Sequence, residues 1–347
     1  MPIPAEFQEL VDPGQDGGWT TPPYQPEHWQ RTQVFIESNE GHRLHVTDRP
    51  NRHRPGYFLQ SGPDGWDLPR FDLKFEESPN LDGGYFRSVR ATTREMALPV
   101  YIYGSDRRGV IDLKRQLFNA MNPKNGPVRI VAREANGSTR SITAYYVSGM
   151  EGNESRETSG FTWIKYVVVV RAMEPYWTSG APESHAWFMN PERHWFLTNK
   201  KDHLNFIPIR VSDGLISSPR NEIPVDADVE TWPVWEIYGP ISGEIAFTNE
   251  TSGKSLTFGP SFGLASENDR IVIDTRPGIK TITKQHYKSG EWLDDSKPNW
   301  WNRLGENPQL WPLVPGMNLV SVEGQGAVGV TTRIVCTYRK RYFSYAG

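Results

Sequence analysis

Cysteine is almost missing from this chain. Cys336 is the single one in 347 residues, so a disulfide framework within one copy is excluded. Long apolar runs are missing as well. The longest strongly apolar stretch, Val167 to Val170, is far too short to cross a bilayer as a helix. The opening "MPIPAEFQELVDPG" has neither a basic n-region nor an apolar h-region, so no export signal is expected from it. Neither charge sign dominates. Lys and Arg number 38 against 41 Asp and Glu, a formal net charge of −3, which gives no electrostatic footprint for specific nucleic-acid binding or membrane attachment. Zinc-type cysteine spacing is absent. In "GHRLH", His42 and His45 stand three apart, with His53 beyond; on a strand that odd spacing puts the pair on opposite faces. No metal and no cofactor are expected.

Catalytic constellations are also lacking, although fragments of motifs occur. Gly259-Pro260-Ser261-Phe262-Gly263 matches a nucleophile elbow in letters. That mechanism needs a helix after the serine, and "GLASENDRIVID" reads as a turn and a strand instead. The run from Gly324 to Gly329 matches a dinucleotide fingerprint, but strand-like residues follow it and no acid stands about 20 residues on. Cys336 has two readings, a nucleophile or a small apolar strand residue, and the second is favoured. "YRKR" (338–341) reads as the solvated basic end of a strand, and Asp294-Asp295 as solvated loop carboxylates. The chain is expected not to be an enzyme.

What is present is β pattern punctuated by 31 Gly and 28 Pro, with aromatics at 12%. Residues 1–31, containing "GGWTTPPYQPEHW", show neither helical nor strand period and are expected to form an extended arm whose Trp19 and Trp29 bury against a partner. "QVFIES" (33–38) reads as a strand. "PRFDLKFEE" (69–77) alternates Phe71, Leu73 and Phe75 against Asp72, Lys74 and Glu76, the pattern of a half-buried strand, with a turn signal at Asp82-Gly83 and a strand pair from Phe86 to Tyr103. One helix is expected in "RGVIDLKRQLFNAMNPKNG", where Val110, Leu113, Leu117 and Met121 make one apolar stripe that Asn122-Pro123 ends. Strands follow at 127–133, 139–148 and 160–171. A boundary is expected near Pro175. Beyond it lie short strands at 204–211, 232–238, 243–248, 254–258, 270–274, 279–284, 318–323 and 330–338, a density that reads as an antiparallel sandwich. The stretch 287–309 reads as a long polar loop carrying Trp292, Trp300 and Trp301.

Six segments in order resemble the distal tail protein family of long-tailed, non-contractile bacteriophages, in its actinobacteriophage form: "LFNAMNPKNGPVRI" (117–130), "RAMEPYWTSG" (171–180), "FIPIRVSDG" (206–214), "DADVETWPVWEIYGP" (226–240), "IVIDTRPGIKTI" (271–282) and "LWPLVPGMNLVSVEG" (310–324). The arm at 1–31 and the loop at 287–309 depart from the family's pattern. The resemblance implies a mainly β protein: the arm at 1–31, a β-rich belt domain with one helix over 32–175, and a galectin-like antiparallel sandwich over 176–347. It implies a virion protein made in the host cytoplasm, a tail-tip structural component forming a hexameric ring, with the tail tube, tip hub and tape-measure proteins as partners. Expected structural anchors are Pro175, Tyr176 and Trp177 at the junction, and Trp232, Pro233, Trp311, Pro312, Gly316 and Asn318 in the sandwich. Trp232 and Trp311 both precede prolines and are expected inside. Expected partner contacts are Trp19, Trp29, Trp292, Trp300 and Trp301. The alternative is a carbohydrate-binding adhesion module using the loop tryptophans. A glycan hydrolase would need two positioned carboxylates, and no such pair can be picked out.

Overall fold

The computed structural model describes residues 32–46, 55–77, 79, 82–134, 136–152, 155, 158–188, 194–195, 210–211, 220–295, 300–324 and 332–346. The expected arm with Trp19 and Trp29, and the expected strand residues 204–209, lie outside them, as does the glycine-rich motif beyond Gly324. The chain is mainly β and divides into two units, one of residues 1–180 with 343–347, the other of 181–342. The division expected near Pro175 thus falls at Gly180, and the last five residues return to the first unit rather than finishing the sandwich.

The first unit runs β1 (Gln33–Glu37), β2 (Arg43–His45), β3 (Gly56–Leu59), β4 (Phe71–Glu77), β5 (Gly84–Ala91), β6 (Arg94–Tyr103), α1 (Arg107–Met121), β7 (Val128–Arg133), β8 (Thr139–Ser148), β9 (Trp163–Ala172) and β10 (Trp177–Ser179). Its main sheet has the order β2-β1-β7-β8-β9-β6-β3, antiparallel throughout, with β10 beside β8. Period-two alternation explains the core. In β6 every second residue from Met96 to Ile102 is buried, and each faces a buried partner in β9, from Met96 opposite Val170 to Ile102 opposite Ile164. Helix α1 covers that face, packing on β6 and β9. Asp106 caps it by accepting from the Gly109 N–H at 2.6 Å, and Val110, Leu117, Ala120 and Met121 turn inward. Leu113, expected in that stripe, is half-buried; its carbonyl accepts the Tyr57 hydroxyl at 2.8 Å.

The last residues of the chain are held by two buried arginines. Arg94 donates to the carbonyls of Gly65 (3.2 Å), Trp66 (3.0 Å) and Phe343 (2.7 Å), and Arg140 to those of Ser344 (2.9 Å) and Ala346 (2.7 Å). Arg94 is 2% exposed, and burial pushes its pKa down to about 10 even though Asp67 and Tyr176 act in the other direction. A charge so far from water needs these carbonyls. Tyr345 completes the seam edge-on to Trp66, 5.4 Å between ring centroids, and 6.2 Å from Trp177.

The second unit is a sandwich of two antiparallel sheets. Its strands are β11 (Glu183–Phe188), β12 (His194–Trp195), β13 (Arg210–Val211), β14 (Arg220–Val225), β15 (Val234–Tyr238), β16 (Ile241–Ser242), β17 (Ile245–Asn249), β18 (Lys254–Phe258), β19 (Gly263–Leu264), β20 (Asp269–Asp274), β21 (Thr281–Lys288), β22 (Glu291–Asp295), β23 (Gly316–Gly324) and β24 (Arg333–Tyr338). One sheet is β11-β24-β15-β20-β21-β22 and the other β14-β23-β17-β18. Both turn alternate residues into a common core, in which Trp235 lies 5.6 Å from Trp187, 4.8 Å from Phe247 and 5.4 Å from Trp311. The expected anchor Trp232 is only half-buried. Strand β15 begins after Pro233, and its alternation sends Trp235 and Ile237 inward, so the tryptophan inside is the one three residues on. The expected loop at 287–309 is also revised. β21 runs on to Lys288, turns at Ser289 and Gly290, and returns as β22, and a short 3₁₀ turn spans Trp300–Arg303.

Three consequences can be measured. Replacing Trp235 or Trp311 by Ala is expected to cost roughly 3–5 kcal/mol of sandwich stability, and Trp232→Ala clearly less; urea unfolding of the three variants gives the order. Deleting residues 343–347 leaves Arg94 buried with fewer acceptors and is expected to destabilise the first unit by roughly 3–5 kcal/mol, while Trp187 and Trp235 keep their protected emission. The third concerns acid. Asp269 is 6% exposed, and burial alone would raise its pKa, but hydrogen bonds from His286 (2.7 Å) and Lys284 (3.0 Å) outweigh that and hold it below the usual carboxylate range. A depressed folded pKa gives stability that is present above the unfolded value, about 3.9, and is lost as pH falls through the folded value. Asp269→Asn should therefore flatten the fall in the urea midpoint below about pH 4.

Candidate functional site

The motif fragments do not converge. β18 ends at Phe258, and after the turn holding Ser261 comes the short strand β19, with no helix. The Ser261 carbonyl accepts from Arg303 at 2.7 Å. Cys336 is fully buried beside Trp235, and burial pushes its thiol pKa up, the opposite of what a nucleophile needs. His45 stacks on Phe35 at 4.6 Å, His42 lies 4.0 Å from Glu40, and no group of ligands for a metal occurs among the described residues. In "YRKR", Lys340 and Tyr338 both bind Glu183, at 2.6 and 2.9 Å, and Arg341 donates to the Glu230 carbonyl at 2.7 Å. The basic cluster is tied into the sandwich, not left as a solvated end.

Trp177 is fully buried and donates to the Trp66 carbonyl at 3.0 Å, Pro175 is buried, and half-buried Tyr176 lies 6.1 Å from Phe343. Trp311 donates to the Phe247 carbonyl at 3.2 Å. Buried Asn318 closes the segment between them and β23: it accepts from the Val314 N–H at 2.9 Å and donates to the Val314 carbonyl at 2.7 Å. Gly316, at φ +96°, makes the turn that brings Asn318 back. The three loop tryptophans do not form one patch. Trp300 is 7% exposed and packs on Phe262 at 6.1 Å, Trp301 is 41% exposed, and Trp292 stands on β22.

The molecule's candidate functional features are surfaces. In the first unit, β4 and β5 pair only with each other. Their register matches Phe71 with Ala91, Leu73 with Val89 and Phe75 with Phe86, so all of these share one face. A bulge makes this possible. Lys74 pairs with Ser88 and Phe75 with Phe86, leaving Arg87 as the extra residue; without it Phe86 would fall on the other face. That other face carries ion pairs, Asp72 with Arg90 at 3.1 Å and Glu76 with Arg87. Gly83, at φ +85°, turns the ribbon at its tip. The pattern at 69–77 predicts a half-buried strand, but among the described residues that face has no cover: Leu73, Phe75 and Phe86 are 58%, 62% and 63% exposed. A second apolar strip lies on the main sheet, on the face away from α1, where Tyr145, Val147 and Val167 are exposed on neighbouring β8 and β9.

In the second unit, the outer face of the six-stranded sheet carries a row that register places side by side: Arg333 (β24), Tyr238 (β15), Arg270 (β20), Gln285 (β21) and Asp294 (β22). Arg270 donates to Glu236 (3.1 Å), the Tyr238 hydroxyl (3.0 Å) and Gln285 (2.7 Å), and Gln285 donates onward to Asp294 (2.8 Å). Its guanidinium carbon lies 4.3 Å from the ring centre of Trp292, and that of Arg333 the same distance from Tyr238. Trp292 is edge-on to Tyr238 at 5.7 Å and 5.1 Å from Tyr287.

No family model matches the sequence, and no curated protein sequence does. Solved structures are similar in fold. The Dit (gp 19.1) protein of phage SPP1, described as a paradigm of the hub adsorption apparatus in phages infecting Gram-positive hosts, aligns with 90% of this chain and 99% of that one at TM-score 0.56 and 10% identity. Chains of the phage P2 baseplate in its activated conformation, solved with Ca and with Sr, align over the same shares at 10% identity, with TM-scores 0.49 and 0.48. What this chain shares with the SPP1 protein, at that identity, is its fold.

Proposed function

We propose that this chain is a distal tail protein of a long-tailed, non-contractile phage of the actinobacteriophage type. It is a virion component of the tail tip, structural rather than enzymatic, whose first unit is the belt and whose second is a galectin-like sandwich. Copies form a hexameric ring that joins the tail tube to the tip hub, with the tape-measure protein as a further partner. The likeness in fold to the SPP1 hub protein supports this reading, as do the six sequence segments.

The observation that carries it is the uncovered face of the β4–β5 ribbon. A two-stranded ribbon is marginal in water by itself. This one keeps Phe71, Leu73, Phe75 and Phe86 on one face by means of a bulge, and among the described residues nothing covers Leu73, Phe75 and Phe86. Apolar surface of that kind marks a binding site. Laid over Tyr145, Val147 and Val167 of the next copy, the ribbon would make a contact between two different patches. Such head-to-tail contacts generate rings when the rotation closes. The ionic back of the ribbon would then face solvent.

The test is the tail tip imaged by electron microscopy, together with the oligomeric state of the purified chain mixed with its tube protein. Wild type is expected as a six-fold ring on the tail axis. The double variant Leu73→Asp, Phe75→Asp is expected to remain folded by circular dichroism and to fail to form rings. A position on a peripheral fibre would overturn the ring, and intact rings of the double variant would remove the ribbon from the contact.

A further inference from the structure

We propose that the solvent side of helix α1 in the first unit is a docking surface for residues 5–12 of the same chain, an acidic and apolar segment. The proposal does not depend on the ring. Helix α1 turns Val110, Leu117, Ala120 and Met121 inward. Beside that stripe, helical spacing lines up a second one along Ile111, Lys114 and Phe118, with Arg108 and Arg115 next to it. Ile111 is 38% exposed and Phe118 half-buried, and both arginines are exposed. The Lys114 ammonium lies 5.6 Å from the ring centre of Phe118. The helix thus presents a short apolar line with cations on both sides of it.

The arginines show what kind of cover the line takes. Arg43 and Arg129 of the same unit pair with Glu37, Arg87 with Glu76, Arg90 with Asp72 and Arg171 with Glu95. Among the described residues Arg108 and Arg115 have no carboxylate partner, not even Asp112 of their own helix. A partner for this face therefore needs carboxylates together with apolar side chains. A nucleic acid would meet the cations and leave Ile111 and Phe118 wet.

The chain holds such a segment, and charge, pattern and reach all select it. Residues 1–30 carry Glu6, Glu9, Asp12, Asp16 and Glu27 and no Lys or Arg. Within them "AEFQELVD" (5–12) sets Phe7, Leu10 and Val11 at spacings of three and four, which suit one face of a helical turn. Pro4 and Pro13 bracket it. Its apolar side chains match Ile111 and Phe118, and Glu6, Glu9 and Asp12 match Arg108, Lys114 and Arg115. Residues 13–31, which connect the segment to β1, can span about 60 Å. A compact unit of this size is roughly 40 Å across, so α1 is within reach. The connection also holds the segment at a high local concentration, which populates a contact too weak for separate molecules.

The experiment uses the full chain. Photoreactive benzoylphenylalanine takes the place of Phe7, the purified protein is irradiated, and the cross-linked peptides are located by mass spectrometry. Cross-links are expected from position 7 to residues 108–118 of the same copy. Two pairs of variants then read the charge: Arg108→Glu with Arg115→Glu on the helix, and Glu6→Arg with Glu9→Arg on the segment. Either pair alone is expected to lower the cross-link yield about fivefold, and the two pairs together to restore it, because the ion pairs are rebuilt with their signs exchanged. The segment pair alters neither α1 nor any strand, so it keeps the test sharp if the helix pair unfolds the unit by circular dichroism. Three results would overturn the assignment: cross-links only to other residues or only between copies, a yield indifferent to the segment pair, or a folded combination of both pairs that stays as low as either alone.

Discussion

The backbone of the last residues is captured by two buried guanidinium groups, and the organisation of the chain depends on that capture. Arg94 and Arg140 each come from a strand of the first unit's sheet, and both donate to main-chain carbonyls of the last residues. Carbonyls cannot be titrated away, so the seam keeps its acceptors at every pH at which the chain folds. Because residues 343–346 are held there, the sandwich is an insertion with both of its ends committed to the first unit. The chain leaves after Gly180 and must come back at Phe343. Arg94 also reaches the Gly65 and Trp66 carbonyls, so the tail, the approach to β4 and the start of β6 share one charged centre. The ribbon rises from that centre: Phe71 at its base lies 6.2 Å from Phe343. A marginal ribbon gains a fixed root in this way, while its tip keeps its apolar face in the open.

Two surfaces of opposite chemistry follow from the same rule of alternation. In the ribbon, alternation sorts side chains into an apolar face and an ionic one. On the outer sheet of the sandwich, it brings aromatic, cationic and anionic residues into one row. The first surface is unstable in water and calls for a permanent cover, since apolar area gives most when it is removed for good. The second is already satisfied, with Arg270 bonded on three sides. The two kinds of surface lie on different units.

Much of this was legible in the sequence, and the failures share a cause. The 3.6-residue period of one apolar stripe marks α1, and the β-branched and aromatic residues of 160–171 mark β9. The segment from Leu310 to Gly324 was legible too, since two prolines and a glycine admit few conformations. The strands β11, "ESHAWF", and β14, "RNEIPV", were missed because each offers few buried residues to a local pattern. The proline after Trp232 suggests extension, yet register, not extension, decides which side chain turns inward, and in β15 that is Trp235. The expected loop at 287–309 hides the end of β21 and all of β22 because their outward residues, Tyr287, Trp292 and Asp294, are polar or amphipathic. The same substitution of polar for apolar residues that hid the hairpin is what builds the row on its face.

The ribbon marks the limit more sharply. Alternation at 69–77 was read correctly as two faces, and the inference that one of them was buried was the step that failed. Period-two pattern reports that a strand distinguishes two environments. It does not report whether the apolar environment is supplied by the same chain. In β6 the cover is α1, a few residues away in sequence, so the pattern and the cover are found together. In β4 and β5 no segment among the described residues provides it. The bulge at Arg87 then becomes informative. An extra residue that restores Phe86 to the apolar face has no benefit for a ribbon that stays in water, where a phenylalanine on either face is equally wet. It has a benefit only if that face meets a cover, so the register of this hairpin is itself evidence for a cover that the described residues do not supply.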